Sequence, residues 1–341
     1  MGLAIALVVH GRFHAFDLGV GLQAGGHNVI VHTNYPARVA RRFGLPAGHV
    51  VSNPMHGVAA RLAHRITPRN AETWINPWFG RWAAKRLAER SWDIVHIWSS
   101  VATEWLDHPA AQGTRCGIAR GSAHIRTQRM LLDEEEHRIG ARLDKPSDWI
   151  IEREEYEYSR ASRVVVPSRF AYQSFIDRGV PRERLRLVPL AGAPASFMAP
   201  AEIIAERAAR IERREPLRVL FVGSITYQKG MHDLLQVMEI APHKRFRFRL
   251  VGQVTSECRP ILRRLAARGE VIGKVPQSEL PSHYAWADLM VLPSIQDGFA
   301  VVLSQAAASG VPFVASENSG GPDLVAAGVP SWIVPARSAR S

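Results

Sequence analysis

The chain is poor in the residues and patterns that most quickly betray a protein's class. It has two cysteines, Cys116 and Cys258, far apart and in unrelated contexts. With no CxxC pair and no Cys/His cluster, neither a zinc site nor a disulfide framework is expected, and a reducing cytosol fits this usage. No apolar run approaches the roughly 20 residues that cross a bilayer, so a soluble or peripheral, cytoplasmic protein is expected. The opening Met1-Gly-Leu-Ala-Ile-Ala-Leu-Val-Val-His10 has no basic leader and is too short for a signal peptide, so it reads as a buried first strand. Repeats, low-complexity stretches and the GK[ST] of a P-loop are absent. Lysine is scarce: five of the 43 basic residues, the other 38 being arginine. The net charge of +12 admits an anionic partner, against the plainer reading of a compositional bias toward arginine. No basic block, zinc finger or RNP-type motif points to nucleic acid.

What the chain does have is length and an ordinary interior. Its 341 residues suffice for two domains, and 46% apolar with 22% charged residues is the balance of a globular enzyme that buries its cores without staples. Short β-branched runs alternate with helical stretches, the pattern of parallel sheets covered by helices. Strands are expected at Leu3–Val9, Asn28–His32, Ile94–Ile97, Cys116–Ala119, Arg163–Val166 and Leu185–Val188, with a helix over Phe13–Ala24. Residues 191–200 look like a linker, and a charged, Ala-rich helix follows over 201–213. A second series then opens, with strands at Leu217–Val222, Phe246–Val251, Val271–Ile272, Asp288–Leu292, Pro312–Ala315 and Trp332–Val334. The expected architecture is α/β with two Rossmann-like domains facing across a cleft: 1–190, a connecting 191–214, and 215–341.

Open parallel sheets bind ligands at the carboxyl ends of their strands, so the loops there are searched first. Gly19-Val-Gly-Leu-Gln-Ala24 matches the dinucleotide pattern GxGxxA but lies inside a helix rather than in the turn after a strand. The next strand also lacks the acid that holds a ribose, so a dehydrogenase reading is rejected. Gly223-Ser-Ile-Thr-Tyr-Gln-Lys229-Gly230 is a better candidate. It is a glycine-bounded loop between a strand and a helix whose apolar face is Met231, Leu234, Leu235 and Met238. Exposed backbone N–H groups, a helix N-terminus and the Lys229 charge suit a diphosphate; the plainer reading is an ordinary loop with a surface lysine. In Pro293-Ser-Ile-Gln-Asp297-Gly-Phe-Ala-Val-Val-Leu-Ser-Gln305 a strand ends in a polar loop and a helix starts near Phe299, bringing a carboxylate and an amide to one side. Asn318-Ser-Gly-Gly-Pro-Asp323 is a third glycine-rich loop.

These segments resemble the retaining glycosyltransferases of family four, which have the GT-B fold. That family has a loop ending in Lys-Gly and a Pro-Ser-x-x-Glu-Gly-Phe-Gly stretch with a second Glu eight residues after the first. Here Lys229, Gly230, Gly298 and Phe299 match. Asp297 and Gln305 replace the two Glu, Ala300 stands where Gly is usual, and Ser224 where Arg is frequent. A neutral amide bonds hydroxyls less strongly than a carboxylate. Gly273-Lys-Val275-Pro276 is similar to the family's base-binding turn. In the first half, His10-Gly-Arg-Phe-His-Ala-Phe-Asp17, Arg120-Gly-Ser-Ala-His124, Glu152-Arg-Glu-Glu-Tyr-Glu-Tyr158 and Val166-Pro-Ser-Arg-Phe170 resemble a subset of the family.

The resemblance implies a metal-independent transfer with retention, from a UDP- or GDP-sugar to a glycan, lipid-linked or small-molecule acceptor, with no cofactor. It implies catalytic roles for Lys229, Asp297 and His124. Gly223, Ser224, Gly230, Val275, Gly298, Phe299, Ala300, Val301 and Gln305 join Lys229 and Asp297 around the donor. Gly11, Arg12 and His14 would face the acceptor. For the histidines and Arg12 a structural role is the plainer alternative. Asp133-Glu-Glu-Glu136 reads as a solvated helix face. Residues 72–92, with Trp74, Trp78 and Trp82 beside Arg81, Lys85 and Arg86, read as a helix packed on the first sheet. Peripheral contact with an anionic membrane is the other reading for that helix. Family members continue beyond the point reached at Ser341 with helices, so a truncated chain with exposed apolar surface is expected. A non-catalytic nucleotide-sugar-binding protein and a GT-B nucleotide-sugar epimerase are the alternative functions.

Overall fold

The computed structural model describes residues 2–66, 71–190 and 192–339. The chain forms two compact units, each built on a parallel sheet. The first sheet contains β1 (Ala4–Val9), β2 (Asn28–Thr33), β3 (Val50–Ser52), β4 (Ile94–Trp98), β5 (Arg115–Ala119), β6 (Arg163–Val166) and β7 (Leu185–Leu187), in the order β3-β2-β1-β4-β5-β6-β7. The second contains β8 (Leu217–Val222), β9 (Phe246–Val251), β10 (Gly269–Gly273), β11 (Leu289–Leu292), β12 (Phe313–Ser316) and β13 (Trp332–Val334), in the order β10-β9-β8-β11-β12-β13. Every pairing in the second sheet is parallel. In both, the order reverses beside the first strand, the switch point at which open α/β sheets take ligands.

The apolar runs decide the strands because a parallel sheet buries both faces and selects continuous β-branched sequence. Leu7, Val8 and Val9 of β1 and Leu220 of β8 are wholly buried. The expected strands are all present, shifted by a residue or two at their ends. β3 is the one among the described strands that the reading above lacks; its three residues Val50–Ser52 are too short a run to carry a period.

Segments that separate the sheets in sequence do not all stay with the first. The second unit includes residues 122–145 and 166–179 as well as everything from Leu187 onward. Helix Ile125–Ile139 is held there by Arg138, whose guanidinium bridges Glu135 and Asp233 at 2.6 and 2.7 Å. This corrects the reading of Asp133–Glu136 as a solvated face. Glu135 is fully buried, also accepting from Arg337, while Asp133 and Glu136 share Lys145.

Two other stretches carry buried groups. The stretch read as a linker contains the short turn Ala195–Phe197, and Phe197 is buried against Tyr284. The charged helix, Ala201–Glu212, also turns arginines inward. Arg207 donates to the carbonyls of Ala287, Gly310, Ser309 and Tyr284, satisfying the C-terminal ends of helices Leu280–Trp286 and Val301–Ala308. Arg210 pairs with buried Asp288. Helix Glu72–Leu87 packs inward as expected: the rings of Trp78 and Trp82 lie on His56 and His32, leaving Trp74 exposed.

Candidate active site

The second sheet gathers its polar residues where β8, β11 and β12 end. These strands are neighbours, so the loops that leave their carboxyl ends adjoin. Backbone and side-chain bonds lace the loops together: Ile295 N–H donates to Gln228 O at 2.9 Å, Asp297 N–H to Asn318 O at 2.8 Å, and Asn318 Nδ2 to Ile295 O at 2.9 Å. The result brings Lys229 and Asp297, 68 residues apart in sequence, into an ion pair.

Each partner is fixed by its own loop. Thr226 Oγ1 accepts from Lys229 N–H at 3.2 Å and caps the start of the short turn Tyr227–Lys229. Gly230 follows at φ +71°, and a Cβ there would lie 1.8 Å from Pro293 O, so only glycine lets the loop approach the β11 loop this closely. Helix Met231–Ile240 starts immediately afterwards, with Met231, Leu234, Leu235 and Met238 buried as expected. Gly223 is approached from β9: a Cβ on Gly252 would come within 1.7 Å of Gly223 O.

The helix after Asp297 starts at Val301, two residues past Phe299. Phe299 is a core residue, and Ala300 caps the helix at φ +56°. That left-handed conformation explains why glycine suits this position; alanine holds it under strain. Gly298 is buried, Val301 and Ser224 are exposed. Gln305 is buried on this helix, and its Oε1 accepts from Tyr284 OH at 3.0 Å. Its side chain therefore bonds Tyr284 and not the Lys229–Asp297 pair. Val275 lies beyond the end of β10, two strands from β8, half-buried against the second core. Gln296, directly before Asp297, is buried with Oε1 accepting from Ser122 Oγ at 2.7 Å; its Nε2 and Ser294 Oγ have no partner among the described residues.

His124 sits in the second unit as a helix cap. Its Nδ1 accepts from Arg126 N–H at 3.2 Å, its own N–H donates to Ser174 Oγ, and the ring packs edge-on against Phe175.

The first sheet's carboxyl ends have a different construction. Gly11, at φ +122°, donates its N–H to Asn34 Oδ1 and accepts from Thr33 Oγ1. The Arg12 guanidinium lies 3.8 Å over the Phe43 ring and 3.8 Å from Asp17. His14 packs on Trp98, and burial lowers its pKa. Beyond β4, two buried acids from helix Asp148–Arg160 hold the chain. Glu157 accepts from the N–H groups of Ser100, Ala102 and Thr103, and Glu154 from Ser100 Oγ and Arg120. Those acids give the Glu152–Tyr158 segment its physical meaning. Thr226, Asn318 and Ser100 are positioning residues. Thr226 and Asn318 lie within the glycine-rich loops, and the only sequence signal for Ser100 is that it lies just past a strand's end. No cluster of three or more acids, histidines or cysteines able to hold a metal occurs among the described residues.

Two doubly wound sheets with glycine-rich loops at the second sheet's switch point define a GT-B protein, and solved structures bear the fold out. Sucrose-phosphate synthase from Thermosynechococcus elongatus superposes with a TM-score of 0.72 at 20% identity, covering 98% of this chain and 86% of that one. Anabaena HepE, solved with UDP and glucose, superposes with a TM-score of 0.65 at 15% identity, covering 99% and 87%. Residues 12–191 match the profile described as Glycosyltransferase Family 4 and residues 216–341 the one described as Glycosyl transferases group 1, and the chain belongs to this glycosyltransferase family. A similar curated protein is the amylovoran biosynthesis glycosyltransferase AmsK of Erwinia amylovora, 27% identical over 56% of this chain and 49% of its own length. Another is the putative colanic acid biosynthesis glycosyltransferase WcaL of Escherichia coli, 30% identical over 37% and 34%. The chain thus spans about half or less of the curated relatives it matches.

Proposed function

We propose that the protein transfers a glycosyl group from a nucleoside-diphosphate sugar to a glycan, lipid-linked or small-molecule acceptor, with retention and without a metal. The donor binds the loops of the second sheet. The observation that carries this reading is the Lys229–Asp297 pair, held between glycine-rich loops at the ends of β8 and β11.

Lys229 lies two residues before helix Met231–Ile240, whose first N–H groups favour an anion. There it stabilises charge developing on the departing diphosphate. Asp297 orients the ammonium and lies next to the donor sugar. The amides near Ser224 and Ala300 add donors of the preorganised kind, each worth about 3–4 kcal/mol at the transition state. Gln305 reads the ribose with its amide nitrogen, since Tyr284 occupies its oxygen, and Val275 borders the base. Gly11, Arg12 and His14 at the end of β1 serve the acceptor. The HepE complexes with UDP and with UDP-glucose support a uridine donor by analogy of fold.

Thermal unfolding with UDP, GDP, ADP and NAD in turn, each at a hundredfold excess over its dissociation constant, tests the donor assignment. Binding should add about 2.7 kcal/mol of stability. A shift with one nucleoside diphosphate and none with NAD is expected; a folded chain that responds to none of them refutes the proposal.

A further inference from the structure

The loop that leaves β1 ties its residues to the first unit, with one exception. His10 to His14 join β1 to helix Ala15–Ala24. The His10 ring lies 6.3 Å from that of Phe79. Gly11 is bonded to Asn34 and Thr33, the Arg12 guanidinium lies over Phe43, and the His14 ring packs 5.0 Å from that of Trp98. Among these five, Phe13 is the exposed one, at 60% of its area.

Its backbone is as unusual as its exposure. Arg12 O accepts from Ala15 N–H at 3.1 Å, closing a turn with Phe13 at φ +41° and His14 at φ −94°, ψ 9°. Positive φ at the first central residue is the type II′ arrangement, in which glycine is favoured there. A bulky side chain in this region is strained.

β4 pairs with β1 at the switch point of the first sheet, and its loop holds a second strained residue, Ser100 at φ +80°. Ser100 is fixed by its own bonds. Its N–H donates to Glu157 at 2.7 Å, its Oγ–H donates to Glu154 at 2.6 Å, and its carbonyl accepts from Arg153 Nε at 2.7 Å. The Phe13 ring, by contrast, adds little packing. One edge lies beside Gly11, where a Cβ would come 3.4 Å from Phe13 Cε2, and the His10 ring is 6.2 Å away. Glycine would fill this position without strain. Strain held at a strand's carboxyl end with no gain in packing is characteristic of ligand sites.

We propose that Phe13 is the stacking platform of the acceptor site and that the group it receives is a pyranose ring, an assignment that rests on the transferase reading above. The face of an aromatic ring is electron-rich. The C–H groups of a sugar are polarised by their oxygens and gather on one face of the ring, so they stack on the aromatic face while the hydroxyls stay at the periphery. The platform is a single ring among the polar side chains of His10, Arg12 and His14. An acyl chain needs a continuous apolar surface, which this turn does not present.

The test uses the whole chain and the methyl pyranosides of glucose, galactose, mannose and rhamnose, with cyclohexanol as an apolar ring that carries a single hydroxyl. Saturation-transfer NMR reads which protons of each probe approach the protein. At least one pyranoside is expected to bind through its C–H face, equally well to Phe13→Tyr and at least about tenfold more weakly to Phe13→Gly and Phe13→Leu. Phe13→Gly should melt at or above the wild-type temperature, because glycine relieves the turn. Binding of no pyranoside, binding that survives in Phe13→Gly, or an equal response to cyclohexanol overturns the proposal. So does a fall of about 5 °C or more in the melting temperature of Phe13→Gly, the mark of a ring that packs in a core. The thermal shift with nucleoside diphosphates, measured on the same variants, keeps the two readings apart, and it is expected to be unchanged in Phe13→Gly. Failure of the pyranoside result while that shift persists removes Phe13 and leaves the transferase. Absence of the shift with Phe13-dependent pyranoside binding intact removes the donor assignment instead.

Discussion

The two units hold their strand-end loops by different means. In the second, the loops after β8, β11 and β12 are tied by backbone bonds, by the uncharged side chains of Thr226 and Asn318 and by glycines at places where a Cβ would collide, and this brings Lys229 to Asp297. In the first, the loop after β4 is held by Glu154 and Glu157, carboxylates 54 to 57 residues away in sequence. Two histidines of the same unit, buried His32 and half-buried His96, are lowered to about 4 by desolvation. The second unit's loops are held without charged side chains, so Lys229 and Asp297 pair with each other, whereas the first unit spends carboxylates on its own architecture. The difference fits a donor site in the second unit, and it makes the two units vulnerable to different changes.

The largest expected effect is on turnover. Lys229→Ala should lower kcat by about two orders of magnitude or more, the loss of about 3–4 kcal/mol of transition-state stabilisation. Steady-state kinetics with the donor identified by thermal shift decides this, and unchanged turnover removes Lys229 from the mechanism. Gly230→Ala tests the second unit's loops directly. Its Cβ would sit 1.8 Å from Pro293 O at φ +71°, so a destabilisation of about 3 kcal/mol is expected together with weakened nucleotide binding. A denaturant titration that gives wild-type stability would show that the loops are not held as described.

Acid should separate the units. His32 and His96, both in the first, bind fewer protons folded than unfolded between their ordinary 6.5 and about 4. Stability is therefore intact above pH 6.5 and is lost as pH falls toward 4, by up to about 3 kcal/mol for buried His32 and by less for half-buried His96. Hydrogen exchange followed from pH 7 to 4.5 should show the first unit opening before the second, and His32→Gln should flatten the trend. Simultaneous opening would break the comparison. The smallest effect is a gain. Ala300→Gly relieves the left-handed cap at φ +56° and should stabilise by about 1 kcal/mol, raising Tm by about 2–4 °C. Scanning calorimetry can resolve it.

Much of the fold could be read from the sequence for a physical reason. Strands buried on both faces need unbroken β-branched runs, and their period does not depend on partners; Leu217–Val222, Phe246–Val251 and Trp332–Val334 appear with the expected bounds. Gly223 and Gly230 were likewise visible, because tight loops demand glycine wherever φ or close approach requires it. Less visible was whatever depends on a distant partner. Glu135 looked solvated until Arg138 and Arg337 closed on it, and Phe197 looked like linker until it met Tyr284. His124 carried a motif position but serves as a helix cap, and Gln305 spends its carbonyl oxygen on Tyr284.

By itself, the sequence determined two parallel α/β units and the glycine-bounded loops of a glycosyltransferase, since strand burial and left-handed turns act on neighbouring residues. Only the tertiary structure decided that Lys229 faces Asp297, that helix Ile125–Ile139 packs with the second unit, and that arginines cap helices from within. Each of those depends on strand order, which brings together residues that no local pattern relates.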